Sequence, residues 1–240
     1  MKFTERDGAI LHTIHDYDGV VAKRQLKELF WPVTTGRAME LRLAQLRTHG
    51  YLHWPSREHS LTQPIPEPVC WLGWKGVAWI AGQQGLSVDY PETPAQVRKT
   101  ERILREYGLR WVREPRWSQL AHDLAIVDVR LAVERAVREV PHLTLETWVA
   151  ESEFHLKTDT VQYTVRDSQG ALRVKKRGVI PDGYFVIVDE GRRQQGLPAR
   201  ARFLLEVDMG THATTSFFGG KGTGRDLVSA KLRLRNPIWR

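Results

Sequence analysis

Apolar positions recur at helical spacing three times within the first fifty residues. Thr4 stands before Glu5 and Asp7, and Ile10, Leu11 and Ile14 then share one stripe, which predicts a capped helix opening at Thr4. Asp16, Asp18 and Gly19 interrupt it, and AKRQLKELF predicts a second short helix with Leu26, Leu29 and Phe30 on one face. Pro32 ends that helix, and Thr34 and Thr35 are expected to cap a third, over about 36–49. There Met39, Leu43 and Leu46 point inward, and Arg37, Arg42 and Arg47 fall largely on the remaining surface. Gly50 closes the third helix. Residues 51–54 and 69–72 read as strands either side of a proline-rich loop, and VAWIA as a helix ending near Gly82.

Three short helices and a hairpin follow the order of a winged helix-turn-helix, over residues 1–85. In that geometry the third helix enters the major groove. Arg37, Arg42 and Arg47 would meet phosphates or guanine edges, and Thr34 and Thr35 would sit where backbone amides hold a phosphate. A small helical domain, or a winged helix used for protein contacts, is the competing reading.

Residues 86–117 read as a basic connector: a proline-rich opening, a helix, then an irregular segment with Arg110, Arg113 and Arg116. The pattern then changes. A long helix over 117–139 carries Leu120, Leu124, Val127 and Leu131 on one stripe, and strand-like runs follow at 143–150, 161–165, 183–188 and 202–207. The fold class is therefore α+β, with a winged helix-turn-helix in front and an α/β domain over 118–211. A Gly-rich basic tail, 212–240, ends the chain.

Composition adds a partner to this picture. The formal net charge is +8, which favours an anionic partner such as double-stranded DNA through counterion release. Cys70 is the one cysteine, so neither an intramolecular disulfide nor a cysteine-based zinc site can form. The opening MKFTERDGAIL lacks the apolar run of a signal peptide and no stretch is apolar enough to span a bilayer, so the expectation is a cytoplasmic protein with no membrane partner. GGKGTG near the end lacks the spacing of a nucleotide-binding phosphate loop.

The candidate chemistry lies in IPDG and LEVD. Glu206 and Asp208, two apart on an expected strand, would point to one face, and Asp182 would approach them if the two strands pair. Three convergent carboxylates are what a divalent metal, Mg or Mn, needs to activate water on a phosphodiester. This spacing resembles the PD-(D/E)xK nuclease core. Asp208 stands where that pattern has lysine, Lys221 being the nearest substitute, and the glycines after residue 211 argue against a closing helix. The nuclease-like core is thus expected to be incomplete. A turn and a strand-end acidic pair meeting arginines is the plain alternative.

In order along the chain, TERDGAIL, LRLAQLRTHGYL, LAHDLAIVDVRLAV, VIPDGYFVIV and FLLEVDMGT resemble the replication-relaxation family of bacterial and plasmid proteins, from Thr4 to Thr211. The resemblance implies a role in plasmid replication and relaxation of plasmid DNA, a winged-helix front and a nuclease-like back. Carried onto this chain, its positions are His122, Asp182, Glu206 and Asp208. His122, at the edge of its helix stripe, serves a metal or phosphate on this view and packs as a core-edge histidine on the other. The leading expectation is a DNA-binding accessory protein of plasmid replication, relaxation or mobilisation. It would work alone or as a homodimer beside replication or mobilisation proteins. A metal-dependent nuclease or nickase and a winged-helix transcriptional regulator are the alternatives.

Overall fold

The computed structural model describes residues 1–56, 58, 65–155, 159–166 and 171–209. The tail from 212 onward, including Lys221, lies outside them. The fold is mixed α/β, with two three-stranded antiparallel sheets and a two-stranded ladder among the described residues. The chain divides into two compact units, Met1–Asp128 and Val129–Arg240.

The first unit opens with α1 (Glu5–Asp16), whose N-terminus is closed by a capping box between Thr4 and Asp7. Next come β1 (Val20–Ala22), α2 (Lys23–Phe30) and α3 (Arg37–Thr48), then β2 (Leu52–His53), β3 (Val69–Leu72) and α4 (Trp74–Gln83). β3 lies between β1 and β2, antiparallel to both. The hairpin and the three helices match the sequence pattern. β1 does not, because three consecutive apolar residues carry no alternation to distinguish a strand from a helix entrance.

Both faces of this small sheet are covered. Val20, Ala22, Val69 and Trp71 pack with Leu120 and Leu124, from the start of α6 (Leu120–Glu139), and with Ile65, Val112 and Trp117. Residues 86–117 also fold into this unit. They supply α5 (Pro94–Glu106), whose Leu104 is buried, and then Leu109 and Val112. Arg110 pairs with Asp18, and Arg116 with Asp123 at 2.7 Å, so two of the connector's cations are engaged within the unit.

Two buried polar side chains, Asp7 and Gln25, tie helices together. The Gln25 side chain accepts from the Ala22 amide at 2.8 Å and donates to the Leu124 carbonyl at 3.0 Å and to Asp128 at 2.8 Å. Arg24 grips Asp128 through two hydrogen bonds of 2.6 Å and reaches Glu67 at 2.7 Å. Burial alone would raise the Asp128 carboxyl, but the hydrogen bonds from Arg24 and Gln25 hold it below the usual range.

In the second unit, β4 (Leu143–Ala150), β7 (Gly183–Asp189) and β8 (Arg200–Leu205) form the other antiparallel sheet, with β7 central. Trp148, Phe185 and Phe203 are cross-strand neighbours whose rings stack at 5.1 and 4.8 Å. The Arg130 guanidinium of α6 lies 5.4 Å from the Trp148 ring centroid. Two short helices, α7 (Glu151–Phe154) and α8 (Glu190–Gln194), follow β4 and β7. β5 (Asp159–Arg166) and β6 (Leu172–Val179) pair as a ladder. The basic run Lys175 to Arg177 lies within β6.

The join between α3 and α4 fixes where α3 ends. Gly50 takes a φ of 80°, and its carbonyl accepts from the Lys75 amide at 3.1 Å. A Cβ on Gly73 would stand 2.4 Å from the Gly50 oxygen, and one on Gly76 2.4 Å from the Tyr51 oxygen, both backbone atoms that cannot swing away. Gly73→Ala and Gly76→Ala are each expected to lower stability by about 2 kcal/mol. Gly82→Ala, with nothing within 4 Å, is expected to be neutral or slightly stabilising. Urea unfolding of the three variants checks this contrast.

Candidate functional site

The candidate site of the first unit is α3 and its surroundings. Gly36, not a threonine, occupies the N-cap of α3, in a left-handed conformation at φ 90° with no side-chain cap. Thr34 instead closes the preceding turn, its amide donating to the Trp31 carbonyl at 3.3 Å. Glycine takes the N-cap because the chain reverses there with a positive φ that a threonine would strain. Thr34 and Thr35 are both exposed beside the start of the helix.

The three arginines expected on the outer face occupy different places. Arg37 is exposed at the first position of α3. Arg42 turns back to α1: its Nε donates to Asp7 at 2.7 Å, and its Nη2 to Asp7 and, at 2.8 Å, to the Lys2 carbonyl. A further bond of 2.8 Å reaches Gln45. Arg47 is exposed but lies over Trp54, its guanidinium 4.3 Å from the ring centroid. Lys23 lies 4.5 Å from the same ring and pairs with Glu40 at 2.8 Å. These groups border an open cleft of about 650 Å³, with Ile65, Glu67 and several prolines on its other side.

The Asp7 carboxylate is fully buried. Burial pushes its pKa up, but hydrogen bonds from Arg42 and Thr4, aided by the Arg42 charge, outweigh this and hold it below its usual value. Burial, then the Arg47 charge, push His53 down, which keeps it neutral at pH 7. Burial pushes the Cys70 thiol up to about 12, so it is a packing residue and not a nucleophile.

Sequence reasoning overlooked the apolar part of α3's outer ridge. Arg37, Leu41, Ala44 and Thr48 are all exposed and follow one another at spacings of four, three and four, opposite the buried Met39, Leu43 and Leu46. The signal was present, since the side of a helix opposite its core stripe is fixed once that stripe is known.

His122 belongs to the first unit, while Asp182, Glu206 and Asp208 belong to the second. His122 is partly buried, 3.9 Å from the Asp123 carboxylate. In the second unit β8 ends at Leu205, short of the expected 202–207 strand, so Glu206 and Asp208 lie just beyond the ladder and not on a strand. Val207 between them is buried and Glu206 exposed. The Asp182 amide donates to the Leu205 carbonyl at 3.0 Å, and its carboxylate accepts from the Val207 amide at 2.5 Å. Asp182 therefore clips the chain after β8 to the start of β7 and extends their pairing by side chain. Among the described residues, no group of three or more His, Cys, Asp or Glu side chains is placed to hold a metal ion.

With these two sites set out, the chain is a mixed α/β protein of two compact units. A family model described as replication-relaxation matches residues 11–221, and the chain belongs to that family. No curated protein and no solved structure matches it. No helix among the described residues is long and apolar enough to cross a membrane.

Two measurements follow from this geometry. Arg42→Ala leaves a buried carboxylate without its cation and is expected to cost about 3 kcal/mol at pH 7. A carboxyl whose pKa is lower in the folded state adds stability that is complete above its unfolded value, near 4, and is lost as pH falls through the depressed value. The deficit of Arg42→Ala should accordingly narrow in acid, which unfolding curves from pH 7 to pH 3 would record. Asp182→Ala is expected to lower stability by about 1–2 kcal/mol, while Asp182→Asn keeps an acceptor for the Val207 amide and much of that stability. Thermal unfolding of the two variants checks the clip.

Proposed function

We propose that the first unit is a winged helix-turn-helix that binds duplex DNA through α3, and that the protein acts as a DNA-binding accessory factor in plasmid replication and relaxation. The observation that carries this reading is the placing of α3. It follows α2 after a short turn, buries one stripe, and leaves an exposed ridge headed by Arg37. The element order α1-β1-α2-α3-β2-β3, with β3 between β1 and β2, supports a winged helix, the antiparallel β2–β3 pair being its wing. The net charge of +8 supports an anionic partner, and family membership supplies the replication setting.

Arg47 and Lys23 flank the ridge where a phosphate backbone would run, and Thr34 and Thr35 stand at its N-terminal end. Arg42 has a different part in this reading. Its bonds to Asp7 orient α3, so it is a positioning residue, and a DNA-binding defect on its removal would be mixed with a folding defect. Asp182 serves to join strands, and Mg or Mn enters no step.

Mobility shifts of a linear duplex with the full chain, from 50 to 200 mM salt, test the proposal. Binding is expected to weaken steeply with salt, and Arg37→Ala with Arg47→Ala to flatten the slope by roughly 1 per lost phosphate contact. Salt-insensitive binding, or an unchanged slope in the double variant, would contradict it. Supercoiled plasmid incubated with Mg or Mn should be bound and left intact. Nicking abolished by both Asp182→Ala and Asp182→Asn would instead establish the metal-dependent nuclease.

A further inference from the structure

Leu41 is 60 % exposed on the ridge of α3, on a helix whose other side supplies a complete apolar stripe to the core. Ala44, one turn on, is exposed as well. The polar side chains beside this ridge already have partners within the protein. Glu40 holds Lys23, Arg42 holds Asp7 and Gln45, and Arg47 stacks on Trp54. The centre of the ridge therefore offers methyl groups and few hydrogen-bonding groups, between a cation at its head and cations along its flank.

In the major groove the thymine C5-methyl is the apolar feature of a base edge, and guanine and adenine are read by hydrogen bonds instead. We propose that Leu41, with Ala44 beside it, reads thymine methyl groups, so that thymines define the centre of the preferred site. This rests on the duplex-binding reading of α3. The exposed Arg37 at its head and Arg47 along its flank match a groove walled by phosphates, which makes DNA the occupant of this ridge and not an apolar protein surface. Leu41 is thus a specificity residue, and its side chain carries no part of the core.

The test takes the full chain, selects the tightest-binding members of a pool of random-sequence duplexes, and remakes them with uracil in place of thymine. Each methyl removed from a close contact is worth roughly fourfold in affinity, so the wild type is expected to bind the uracil duplexes at least about fourfold more weakly. Leu41→Ser should bind both versions alike, at the level of the wild type on uracil. Arg47→Ala should weaken both by the same factor and retain the preference. Equal wild-type affinity for the two versions, or a preference that survives Leu41→Ser, overturns the inference while leaving duplex binding in place. Failure to bind any member of the pool overturns the duplex-binding reading itself, and this inference with it.

Discussion

The Asp7 carboxylate has no exposure to water, and a buried charge of that kind is tolerated only where it is paired and fully hydrogen-bonded. Here one residue meets two needs. It completes the capping box of α1 with Thr4, and it receives the guanidinium of Arg42 from α3. An aliphatic pair of similar volume would hold the helices together, but it would not set their rotation. The forked geometry of the arginine favours a defined angular setting of α3, in which Leu41 and Ala44 are exposed. What the helix presents to a partner is thus decided on its opposite side.

The rest of the first unit reinforces that setting. Gln25 and Arg24 bind α2 to the start of α6 through Asp128, and Leu120 and Leu124 cover the sheet face turned away from the three helices. The Gly50–Gly73–Gly76 contact stops α3 at a defined point against α4. Every one of these devices constrains backbone position, and none spends a side chain on the ridge. In the second unit Asp182 works in the same structural manner, joining the chain beyond β8 to the head of β7. Its carboxylate is thereby committed to an amide, which is why the acidic pattern noticed in the sequence gathers around a strand end.

Much of this was legible beforehand. Helical spacing located α1, α2 and α3, the two apolar runs either side of the proline-rich stretch predicted the hairpin, and Leu143–Ala150 was expected as a strand and is one. β1 was illegible because three buried residues have no period. β6 was not among the strand-like runs, because its lysines and arginines carry no sustained apolar alternation and only the pairing with β5 defines it. The Arg42 partner lies 35 positions away, and nothing local distinguishes a guanidinium facing DNA from one facing a buried carboxylate. Glu206 and Asp208 have strand-like spacing, yet the ladder ends at Leu205. A periodic pattern says which residues share a face, and only long-range pairing says where an element stops.

Amide hydrogen exchange of the full chain, with and without a saturating random-sequence duplex, addresses the central claim most directly. The claim is that α3, fixed from behind by Arg42 and Asp7, is the surface that meets DNA. Exchange is predicted to slow over α3 and the 54–56 segment and to stay unchanged over β4, β7 and β8. Protection confined to β4, β7 and β8, with α3 exchanging as in the free protein, would contradict it.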